Sequence, residues 1–309
     1  MAANPSFVLH LGAHKTGTSL LQKYLRDRPH EIAKLRMASV RRDASNDLIG
    51  WGRFPIEHPE RLREALLAVA RTPVGVPPRR HLARLADAVF GRPEPRTVIL
   101  SNENSLGRPF DRSGASRLYP QAAGSAKGLA ASVGDLQPRI VYYIRSQEGY
   151  LESYYLQTVH QGGTALFSEW VAGIDVTSIS WVPVVAALVE AFGEDRVIVR
   201  DFAEIGRGQN WFIETFLRSC DPTVNPTIDY QPMRNISVSQ RGLEIALAMN
   251  PLLETSDERH AVRTFLQKTF NNTTSPRPVL LSEDEKVRLR DRYAAENRDL
   301  VARYGGGPA

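Results

Sequence analysis

The chain is 309 residues long, 42% hydrophobic, with a formal net charge of +5 and a single cysteine, Cys220. That is apolar material for one large domain or two modest ones, its Lys and Arg are scattered rather than blocked, and the balance suits an anionic ligand. One cysteine excludes an internal disulfide and a multi-cysteine metal site. The longest apolar stretch, Trp181 to Phe192, is too short for a membrane span and is interrupted by Pro183 and Glu190. No signal peptide and no nucleic-acid module is recognisable, so a cytoplasmic protein that uses no metal is expected.

The first element ahead of all others is strand, loop and helix over Phe7 to Leu25. An apolar run ends at Gly12, the loop holds Gly17, Lys15 and the hydroxyls of Thr16, Thr18 and Ser19, and a helical pattern starts with Leu20, Leu21 and Tyr24. Glycines let the backbone turn tightly, and free N–H groups at a helix start attract anions. The order differs from G-x-x-x-x-G-K-[ST], because Lys15 precedes the second glycine and Thr18 stands where that motif has its lysine. The loop suits phosphate without pointing to magnesium nucleoside triphosphate.

The first helix is expected to stop before Pro29, followed by a helix from Pro59 to Ala70 and another through Leu82, Leu85, Val89 and Phe90. Thr97 to Leu100 reads as a buried parallel strand that ends in Ser101-Asn102-Glu103-Asn104. After a helix around Ala126 to Val133, a strand over Arg139 to Ser146 leads into a helix from Gln147 to Val159. A helix over Trp181 to Phe192, a strand over Arg196 to Arg200 and a helix over Gln209 to Leu217 follow. A capped helix runs through Leu243 to Met249, and a terminal helix starts at Ser282 with Glu285 as its capping-box partner. Gly305 to Pro308 reads as a frayed tail. Strands alternating with helices make an α/β fold, with a central parallel sheet between helical layers.

The stretch His14-Lys15-Thr16-Gly17-Thr18-Ser19 resembles the 5'-phosphosulfate loop of sulfotransferases that use 3'-phosphoadenosine 5'-phosphosulfate (PAPS). A second match lies at Arg145 and Ser153, eight residues apart across a strand-to-helix junction, as in the 3'-phosphate site of that superfamily. The segment from Arg234 to Ser239 and the terminal helix match more faintly. The resemblance implies a three-layer P-loop-like fold over 1–309, with 30–95 a helical insertion shaping the acceptor site and 282–304 a C-terminal helix. It implies PAPS as co-substrate and 3'-phosphoadenosine 5'-phosphate (PAP) as product. Lys15, Thr16, Gly17, Thr18, Ser19, Arg145, Ser153 and Arg234 would bind the co-substrate, and a hydroxyl, less readily an amine, of a glycan or small molecule would accept the sulfuryl group.

Lys15 would stabilise the leaving oxygen. An acceptor hydroxyl must lose a proton, which makes Glu103, beyond its strand at the same rim, the first candidate base and His14 the second. Glu148 and Glu152 flank the second motif and are expected to be solvated or paired with Arg. A nucleotide kinase and a catalytically silent nucleotide-binding protein are the competing readings. The acceptor and the oligomeric state have no readable code.

Overall fold

A computed structural model describes residues 5–39, 63–64, 66–67, 96–110, 117–231, 237–273 and 275–306. Strands β1 (Ser6–His10), β2 (Met37–Ser39), β3 (Thr97–Ser101), β4 (Arg139–Ile144) and β5 (Val197–Asp201) form one sheet in the order β2-β3-β1-β4-β5. Every pairing is parallel. β1 is central, and its residues alternate between the faces: Phe7 and Leu9 belong to one apolar cluster, Val8 to the other. Such a strand reads as a continuous hydrophobic run because both its faces are covered.

On the first face lie α3 (Ala122–Val133), α4 (Gln147–His160), α6 (Val182–Phe192) and the long α10 (Glu283–Tyr304), which contribute Leu129, Leu151, Leu188 and Leu300 to the core. On the second lie α1 (Thr18–Asp27), α2 (Pro29–Lys34) and α7 (Gln209–Cys220), with Leu21, Ile32 and Phe216. This is the three-layer α/β arrangement expected. Three further helices are α5 (Phe167–Ala172), α8 (Gln240–Met249) and α9 (Ser256–Thr269), and Leu243 and Leu266 pack against Tyr155 and Val159 of α4.

Boundaries follow local chemistry. Pro29 opens α2 rather than merely ending α1, since its missing N–H costs nothing in a first turn. Ser282 and Glu285 form the capping box read from the sequence, and Thr255 with Glu258 makes a second one at α9. Gly305 is not free: its carbonyl accepts from Arg200 Nη1 at 3.1 Å. Of the expected 59–70 helix only 63, 64, 66 and 67 are described, all helical, and the helix at 82–90 lies outside the described residues, as do most of 30–95 and Arg234.

The helix after β1 leaves on one face, whereas those after β3 and β4 leave on the other. A crevice therefore opens at the carboxyl tip of β1, between the tips of its two neighbours, where ligands of open parallel sheets sit.

Candidate active site

The loop after β1 takes its shape from two left-handed residues. Gly17 (φ 83°) is suited to that conformation, whereas Lys15 (φ 65°) is strained there. Thr16 turns its hydroxyl inward to the Ala13 carbonyl at 2.6 Å. Among the described residues nothing accepts from the backbone N–H of Lys15, Thr16 or Gly17, and Thr18 and Ser19 open α1, so consecutive donors converge at a helix start. Thr18 Oγ1 is buried and unpartnered; Ser19 is exposed.

From the adjoining tip of β4, Arg145 Nη1 donates to the Lys15 carbonyl at 2.9 Å. The two motifs thus meet on the same side of the sheet. Arg145 lies over the Phe202 ring, 5.0 Å from its centroid, and against Gly149 in the first turn of α4. Its own carbonyl accepts from the indole of the fully buried Trp181 at 2.7 Å. Ser153 is one turn beyond Gly149 on the same face of α4. Burial, Arg145 and Arg263 together bring the Lys15 pKa down to about 8. No carboxylate among the described residues forms an ion pair with Lys15 or Arg145.

The tip of β3 supplies the other wall. Glu103 Oε2 accepts from Gln22 on α1 at 2.8 Å, and Gln22 also donates to the Ser101 carbonyl at 3.1 Å. His14 is built into a network that the sequence did not announce. The Tyr119 hydroxyl accepts from the His14 backbone N–H at 2.8 Å and from Tyr150 at 3.3 Å. Its own hydrogen then goes to His14 Nδ1 at 2.8 Å, leaving Nε2 protonated and donating to Asn104 Oδ1 at 3.1 Å. Burial lowers the His14 pKa against the pull of Glu103 and Asn104, so the ring is neutral with both nitrogens engaged.

Glu148 and Glu152 turn away from the crevice, Glu148 to Arg290 at 3.3 Å and Glu152 to Lys286 at 3.5 Å. The arginine partner expected is found for Glu148, which is buried, whereas the partner of Glu152 is a lysine. Two surface grooves of about 620 and 420 Å³ are lined by no residue of the glycine loop. Among the described residues, no cluster of His, Cys, Asp or Glu is placed to hold a metal, and no helix is long and apolar enough to cross a membrane. Tyr119, Asn104, Gln22, Trp181 and Phe202 are the site residues that sequence reasoning missed. Only Trp181 carried a signal, a lone Trp at the start of an apolar helix.

No protein-family model and no curated protein sequence matches the chain. Among solved structures it is similar to a crystal structure of a sulfotransferase from Alicyclobacillus acidocaldarius, at 18% identity and a TM-score of 0.43, over 84% of this chain and 100% of that one. At that degree of similarity, any functional reading rests on the chain's own geometry.

Proposed function

We propose that the chain is a sulfotransferase that moves the sulfuryl group of PAPS to a hydroxyl, less readily an amine, of a glycan or small molecule. The observation that carries this reading is the bond from Arg145 to the Lys15 carbonyl, which brings two cations, neither in an ion pair among the described residues, together beside a loop whose N–H donors are free among those residues. The residues fit the co-substrate: Thr18 Oγ1 is an orphaned buried hydroxyl, and the donor set of Lys15, Thr18, Ser19, Arg145 and Ser153 is cationic and hydroxylic. When bound, PAPS supplies the sulfuryl group and a good phosphate leaving group.

The N–H groups from Lys15 to Ser19 and the Thr18 hydroxyl hold the 5' end, and Lys15 opposes the charge that grows on the departing oxygen. Arg145 and Ser153 hold the 3'-phosphate through a planar fork and a hydroxyl, with Arg234 as a further proposed contact. Glu103 takes the acceptor's proton on Oε1, while Gln22 fixes Oε2. His14, with both ring nitrogens occupied, shapes the wall and ranks behind Glu103 as base.

Calorimetry with PAP should show binding that weakens about 10- to 100-fold in Arg145→Ala, the scale of lost charge-assisted hydrogen bonds. In single turnovers with radiolabelled PAPS and an acceptor mixture, Glu103→Gln should keep PAP affinity and lose transfer. Equal wild-type affinity for PAP and 5'-AMP would remove Arg145 from the 3'-phosphate, and tighter binding of magnesium ATP than of PAPS would make the protein a kinase.

A further inference from the structure

One buried group beside the glycine loop has no part in this scheme. His10 closes β1 opposite Ser101, the last residue of β3, and is fully buried, with the ring centroids of Phe216 and Tyr143 at 5.0 and 5.7 Å from its own. Its Nδ1 lies 2.8 Å from Ser101 Oγ. Its Nε2 is buried with no hydrogen-bond partner, and so is Thr18 Oγ1 in the first turn of α1. The two orphans converge on one place: a Cβ on Gly12 would stand 2.7 Å from His10 Nε2 and 2.9 Å from Thr18 Oγ1. Both atoms therefore lie within 2.9 Å of one point beside the bare Gly12 Cα, and a side chain there would wedge them apart.

Ser101 decides which ring nitrogen carries the hydrogen. Its Oγ has no other hydrogen-bond partner among the described residues, so its own hydrogen is satisfied by pointing at Nδ1, and Nε2 then bears the hydrogen of the ring. Burial brings the His10 pKa down to about 3, so at neutral pH the ring is an uncharged donor. Thr18 has the complementary need. A hydroxyl has one hydrogen, and once that is given to an anion its lone pairs are left in a dry interior at a cost unless a donor meets them.

We propose that His10 is a positioning residue for the phosphate loop: its Nε2–H donates to Thr18 Oγ1, which turns the Thr18 hydrogen outward to the 5'-phosphate. This rests on the proposed role of Thr18 at the 5' end of PAPS. Hydrogens run in one direction, from Ser101 Oγ to Nδ1, from Nε2 to Thr18 Oγ1 and from Thr18 Oγ1 to the ligand, so that each bond polarises the next. An anion in the loop closes the bond between ring and hydroxyl, because it draws the Thr18 hydrogen away from the ring. The tip of β3 thereby sets the aim of a donor at the start of α1.

Calorimetry with PAP on Thr18→Val, His10→Leu and the double variant tests this, with urea midpoints to check folding and imidazole nitrogen NMR to read the tautomer. Each single variant should weaken PAP roughly tenfold, and the double variant no more than either alone, because both break the same bond. His10→Gln, whose amide offers an N–H in place of Nε2, should recover part of the loss. The wild-type ring should carry its hydrogen on Nε2, with that proton moving downfield when PAP binds. Losses that add in the double variant, or a His10→Leu affinity equal to wild type, overturn the positioning role, as does a hydrogen found on Nδ1 in the PAP complex. Should His10→Leu fail to fold, the wild-type tautomer decides alone. If wild type binds no PAP, the co-substrate reading falls, and the same variants titrated with inorganic phosphate decide the role of His10; binding of neither overturns both.

Discussion

Lys15 combines a strained backbone with a displaced proton. Its φ of 65° is a conformation that a residue with a side chain adopts at a cost of about 1 kcal/mol or more, and its ammonium, half-buried beside Arg145 and Arg263, has a pKa of about 8. An anion in the loop favours the charged form and raises that value. PAP affinity should therefore be full below pH 8 and fall as pH rises through it, with proton uptake on binding above that pH. Calorimetry in buffers of different ionisation enthalpy measures both. A flat affinity between pH 7 and pH 9, about one unit either side of that pKa, would separate Lys15 from the ligand. Lys15 and Arg145 were legible in the sequence because their spacing within two strand-loop-helix junctions is local. The partners of His14 were not, since Tyr119 and Asn104 are 105 and 90 residues away and their hydroxyl and amide carry no pattern of their own.

Among the elements, the turn into α1 is specified twice over, by backbone conformation and by close packing. A Cβ on Gly17 would stand 2.9 Å from Phe212 Cε1 and 3.1 Å from Phe202 Cε2, on top of an unfavourable φ. Gly193 has a similar φ of 92° but open space around it. Gly17→Ala should lower stability by about 1–3 kcal/mol and Gly193→Ala by about 1 kcal/mol, read from urea midpoints; equal losses would show that the aromatic contact is without consequence. Parallel strands and amphipathic helices were readable because burial imposes their periodicity. β2 was not, since Met37-Ala38-Ser39 is too short to have a period and owes its place to pairing with β3. α9 was missed because most of its surface is polar and exposed, with Leu266 its buried anchor.

Across the molecule, three imidazoles among the described residues are kept neutral by burial. His10 lies at the centre of the sheet with Nδ1 on Ser101 Oγ at 2.8 Å and its pKa down to about 3; His14 is lowered and His160 is at about 4. Unfolding releases each to its ordinary 6.5, so the unfolded chain binds more protons below that pH. Their contribution is present above pH 6.5 and is lost as pH falls, at up to about 1.4 kcal/mol per pH unit for each ring. Asp201 and Glu204, raised by burial, act in the opposite sense. Urea unfolding should show lower stability at pH 5 than at pH 7, a window set by those pKa values, and equal stability would mean that the rings are accessible to protons in the native state. The hold of Arg145 on the Lys15 carbonyl, itself backed by Trp181, has one further consequence. The opening segment is not a portable cassette: grafted into a foreign parallel sheet it would keep its letters and lose its shape, because the brace arrives from a stretch of chain more than a hundred residues downstream.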